Sequence, residues 1–171
     1  MHDANAHEHA RVLRRRVRWL LGFMIVGLVL SGVTAFPLVA EAELLQKMAG
    51  EGSWVASWWP SMGAWVSTVH RGLVETDARA PFLAYGTDWL AFAHIVIALA
   101  FIGPLRDPVK NIWVIEWGML ACVLIIPLAM ICGPLRGIPF VWRLIDCSFG
   151  VFGIVPLLLA RRYALQLERL G

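Results

Sequence analysis

The chain has 171 residues, 59% of them hydrophobic and 16% charged. Soluble domains run about 45–50% apolar and about 25% charged. This composition therefore excludes a disordered chain, a fibrous repeat and an ordinary cytosolic domain, and points to lipid as the main solvent. The net charge of +3 does not signal nucleic acid. The basic residues flank apolar segments, where they act as topology signals, and no basic stripe interleaves with aromatics on a polar surface.

The first ten residues are polar and carry His2, His7 and His9, and a basic run of Arg11, Arg14, Arg15, Arg16 and Arg18 follows. The apolar stretch Trp19 to Ala40 is longer than a signal-peptide core and long enough to cross a ~30 Å hydrocarbon layer. It predicts an uncleaved first transmembrane helix over 19–40, behind a basic segment over 1–18. Pro37 is expected to bend its final turn. Gly27, Ser31 and Ala35 recur every four residues, a small-residue face that lets another membrane helix approach closely.

The longest stretch between spans is a connector over 41–85. It holds Trp54, Trp58, Trp59 and Trp65, four of the nine tryptophans, which marks it as interfacial rather than freely solvated. Trp58, Met62, Trp65, Val66, Val69 and Leu73 follow helical spacing, with Ser61, Ser67, Thr68, Arg71 and Glu75 on the opposite face. The pattern predicts one amphipathic helix lying in the outer interface or across the mouth of the bundle, as support or as a lid.

Three further spans follow. One covers 86–105, with Thr87 or Asp88 as N-cap and Pro104 and Pro108 at its end. Another covers 111–132, with Pro127 inside and the turn Gly133 to Gly137 after it. The last covers 138–160, stopped by Arg161 and Arg162 before a short amphipathic tail over 161–171. The fold class is all-α: an integral membrane domain over 19–160, a four-transmembrane-helix bundle with one outer amphipathic interfacial helix.

Charge sets the direction. Ten of the fifteen basic residues fall in the N-terminal flank, the loop between spans two and three, and the C-terminal tail; the other side has Lys47, Arg71, Arg79, Arg136 and Arg143. The positive-inside rule then places both termini in the cytoplasm of a cell whose inner membrane holds the chain.

An ionisable side chain at the centre of a span costs roughly 2.5–3.5 kcal/mol on the insertion scale and often marks function. His94, Glu116, Arg143 and Asp146 all lie inside predicted spans, at different depths. Arg143 and Asp146 are three residues apart on one helix face, where they form a structural ion pair or, with His94, a polar cluster for a proton, an anion or a quinone head group. Gly150 and Gly153, on roughly the same side as Asp146, admit close helix contact. Glu116 lies near the cytoplasmic end of its span, within reach of Arg106 or Lys110. His70, at the edge of the interfacial helix, is the remaining histidine outside the N-terminal segment, and a b-type haem held by His94 would need it as second axial ligand.

Cys122, Cys132 and Cys147 form no CxxC or zinc spacing and act as small apolar fillers, with a Cys132–Cys147 approach as the alternative. Glu75, Asp77 and Asp88 around His70 match no metal motif. No Walker loop, GxSxG elbow, HExxH or dinucleotide fingerprint is present. The expected function is a non-catalytic small subunit or scaffold of the inner membrane, whose partners are the bilayer and other membrane-protein subunits or a second copy. The alternatives are a redox subunit binding haem b or quinone through His94 with His70 or Asp146, and a small proton-coupled transporter using Asp146 and Glu116.

Overall fold

The structure is a computed structural model that describes residues 2–170, with side chains from His7 onward. Met1, Gly171 and the side chains of 2–6, part of the expected N-terminal segment and tail, lie outside that description. Every regular element among the described residues is helical: α1 (His2–Ala35), α2 (Leu38–Ala49), α3 (Trp54–Trp58), α4 (Pro60–Arg79), a 3-10 turn (Pro81–Ala84), α5 (Tyr85–Ala100), α6 (Ile102–Arg106), α7 (Ile112–Leu135) and α8 (Phe140–Glu168). Four stretches are long and apolar enough to cross a membrane: His7–Ala35, Pro81–Arg106, Ile112–Leu135 and Phe140–Glu168. The chain is thus an all-α, multi-span helical protein.

The helix ends differ from the expected ones for local reasons. The first span stops at Ala35, and α2 opens after Pro37, which serves as its N-cap residue. Proline disfavours helical geometry in the residue before it, so the break falls ahead of Pro37 rather than as a bend within one helix. Thr87 and Asp88 do not cap α5, because the 3-10 turn runs straight into Tyr85 and puts both inside the first turn. Helix α7 continues through Gly133 and Pro134 to Leu135, and the reversal falls instead at Gly137, whose φ of 69° only glycine adopts without strain. Helix α8 passes Arg161 and Arg162 and ends at Glu168.

The chain divides into two compact units, Met1–Gly27 with Ile97–Gly171 and Leu28–Val96. In the first, α7 and α8 form an antiparallel hairpin. Glycine sets its closeness: a Cβ on Gly150 would run into the Cys122 carbonyl, one on Gly153 would lie 2.9 Å from Cys122 Sγ, and one on Gly118 would lie 2.7 Å from Phe101 Cζ. In lipid there is little hydrophobic force between helices, so close van der Waals contact at small residues carries the packing. Leu13, Val17 and Leu21 are buried on α1, as are Ala160, Ala164 and Leu167 on α8. The basic run therefore shares its helix with a buried apolar stripe at four-residue spacing. All three cysteines are free, Cys122 and Cys147 buried and Cys132 exposed, so no Cys132–Cys147 bond forms.

In the second unit the connector folds into three helices and the 3-10 turn instead of one helix. The helix expected from Trp58 breaks at Trp59 and restarts at Pro60, a residue suited to a first helical position. Helix α4 packs on α2. Gly63 and Val66 are buried there, and so is Ser67, which the amphipathic pattern assigns to the polar face. Ser67 Oγ accepts from the Glu51 N–H at 2.9 Å and donates to Gln46 Oε1 at 3.0 Å. A buried hydroxyl is tolerated when its hydrogen bonds are made, and here they tie the Gly50–Gly52 turn to α4. Helix α1 meets α5 at Gly32, where a Cβ would lie 2.7 Å from the Ala91 carbonyl oxygen and 3.2 Å from His94 Cβ. Of the expected small-residue face, Gly27 has open space around it and Ser31 is exposed, so α5 does not cover it.

Candidate functional site

His94 stands on α5 with its backbone against Gly32. Its Nδ1 lies 2.8 Å from the Leu90 carbonyl. A carbonyl only accepts, so Nδ1 carries the proton in that bond, and in the neutral imidazole the lone pair sits on Nε2. His70, half-buried on α4, belongs to the same unit, and no hydrogen bond among the described side chains joins it to His94. Among the described residues no group of three or more His, Cys, Asp or Glu is gathered closely enough to hold a metal ion.

Arg143 and Asp146 share a face of α8, both half-buried, but the expected ion pair between them is absent among the described residues. Arg143 turns instead toward the end of α7. Its stem lies across Gly133, where the missing Cβ leaves room, and its guanidinium carbon sits 5.2 Å over the Phe140 ring. That cation–π contact partly offsets desolvation, yet Nε is buried with no hydrogen-bond partner. Asp146 and Arg143 belong to one compact unit and His94 to the other.

Glu116 pairs with neither Arg106 nor Lys110. Its Oε1 accepts from Arg161 Nε at 2.8 Å. Lys110 engages Asp107 within its own turn, at 3.7 Å. One turn of α8 beyond Ala160, the guanidinium carbon of Arg16 lies 5.6 Å over the Tyr163 ring. The N-terminal flank, the start of α7 and the end of α8 therefore meet at one end of this unit. The Leu13–Val17–Leu21 spacing inside the arginine run was the sequence signal for it, hidden by the charge between.

Each unit holds a cavity. One, of about 590 Å³, is open and lined by Arg15, Arg18, Trp19, Gly22, Leu105 and Arg106. The other, of about 440 Å³, lies at the α1–α2 break, with Asp77, Thr76 and Thr87 among its lining residues. None of His94, His70, Asp146, Arg143 or Glu116 lines either. No protein-family model, no curated protein and no solved structure matches the chain.

Proposed function

We propose that this chain is a non-catalytic subunit of a prokaryotic inner membrane, with both termini in the cytoplasm, that packs against other membrane helices or a second copy of itself. The observation that carries the reading is how little of each span the chain covers for itself. Only 17–28% of the residues in the four apolar windows are buried within the fold. Leu30, Leu124, Phe149 and Phe152 are among the large apolar side chains left uncovered. Lipid accepts such faces, and so do neighbouring helices. The open space around Gly27 and the exposed Ser31 beside it offer a helix the close approach that bulky residues deny.

The test is the mass of the protein extracted in mild detergent. A complex larger than one chain, reduced to one chain by Gly27→Leu with Ser31→Leu, supports the reading. A monodisperse single chain carrying a stoichiometric cofactor overturns it.

A redox role is the second reading, and the His94 tautomer favours it over transport. A histidine that donates Nδ1–H to a backbone carbonyl is oriented with Nε2 free, the arrangement common to ligating imidazoles. A Soret band with sharp reduced α and β bands, lost in His94→Ala, would support haem b. An absorption spectrum without them, and an organic extract without quinone, removes this reading.

A further inference from the structure

We propose that the groove between α1 and α6 binds the phosphate of an anionic glycerophospholipid. Arg15, Arg18, Trp19 and Gly22 occupy one face of α1 at helical spacing, and Leu105 and Arg106 of α6 form the opposite wall. The groove is shallow and open, with a volume of about 590 Å³, as suits a lipid that enters it from the bilayer side. Arg15, Arg18 and Arg106 line it, chiefly with their apolar stems, and no acidic residue does. Among the described residues, Arg15, Arg18 and Arg106 enter no ion pair. The nearest acid in sequence, Asp107, is already held by Lys110.

The occupant follows from position and charge. The groove sits where the arginine run gives way to the apolar span, the depth of a lipid phosphate. Trp19, 71% exposed, has the amphipathic ring that settles at that level. Guanidinium groups bind phosphate oxygens in planar, often bidentate pairs. Below them, Gly22 and Leu105 leave an apolar wall for the first methylenes of an acyl chain, and a Cβ on Gly22 meets nothing within 4 Å. Clusters of basic residues at a span end attract anionic lipid in this manner. The inference rests on α1 spanning the bilayer and is independent of what else the protein packs against.

The full chain reconstituted in vesicles gives the test, with bound lipid read by native mass spectrometry after flotation and mild extraction. Vesicles of phosphatidylcholine with phosphatidylglycerol should yield protein retaining phosphatidylglycerol. Each arginine near the phosphate should strengthen binding about fivefold, so Arg15→Gln, Arg18→Gln and Arg106→Gln together should weaken it about a hundredfold. Gly22→Leu should block retention with every arginine in place, and its side chain enters open space, so the fold is kept. Equal retention of both lipids, or unchanged retention in both variants, overturns the inference. Release of the lipid by millimolar inorganic phosphate would assign the groove to a free anion and overturn it too. Failure of the protein to float with vesicles would remove the membrane reading itself, a result distinct from floating without lipid preference.

Discussion

Arg161 Nε donates a 2.8 Å hydrogen bond to Glu116 Oε1 across 45 residues of sequence, fastening the start of α7 to the last turns of α8. The Arg161 side chain is 40% exposed and that of Glu116 45%, so the pair is not buried in the fold. A cycle of Glu116→Ala and Arg161→Ala, read by thermal unfolding in detergent, should give a coupling of about 0.2–1 kcal/mol. A coupling well above about 2 kcal/mol would mean that the pair is shielded as a buried one is.

The hairpin of α7 and α8 should be far less tolerant at Gly150 than α4 is at Gly72. A methyl at Gly150 meets the Cys122 carbonyl, whereas one at Gly72 meets open space. Gly150→Ala should cost about 1–3 kcal/mol through forced helix separation. Gly72→Ala should be neutral or stabilise by up to about 1 kcal/mol, the helix-propensity gain. Equal melting temperatures for the two variants would contradict the packing described.

Ser67→Ala removes the acceptor of the Glu51 N–H and the donor to Gln46. The expected loss is about 1 kcal/mol, and its signature is local. Amide exchange at Glu51 should quicken while α7 and α8 stay protected. Unchanged exchange there would mean that the hydroxyl does not hold the turn.

Asp107 lies outside the spans, and its carboxyl is held below its ordinary value of 3.8, chiefly by the Lys110 backbone N–H, with the Lys110 ammonium adding to it. A lowered folded value means that the ionised carboxylate favours the folded turn. The contribution is fully present above pH 3.8 and is lost as pH falls through the lowered value. An NMR titration should place the Asp107 midpoint below 3.8, with Lys110 amide exchange rising as the carboxyl protonates, and Asp107→Asn should abolish that rise. A midpoint at or above the ordinary value would refute the assignment.

The spans were legible in the sequence because their signal is composition over some twenty residues, which tertiary contacts do not alter. Gly150 and Gly153 were legible as contact points for a related reason: small residues in an apolar helix have few other uses. Partners across the chain were not legible. Glu116 had Arg106 and Lys110 within ten residues, and nothing in one dimension says that Arg161 is nearer in space. Arg143 and Asp146 have pairing spacing, yet Arg143 finds the Phe140 ring and the gap over Gly133 instead. The connector was misread at Ser67 because a serine made internal by two hydrogen bonds looks, in a periodicity, like a solvent-facing one. Gly32 was not legible as the point where α1 meets α5, because only packing tells which small residue of a helix its neighbour reaches.

Native mass spectrometry of the protein gently extracted from its membrane tests the central claim most directly, because one spectrum reports both partners and cofactors. The subunit reading predicts species heavier than the 19.1 kDa chain by the mass of another membrane polypeptide or a second copy. A single species of one chain plus one non-covalent cofactor would contradict it and make His94 the first residue to mutate.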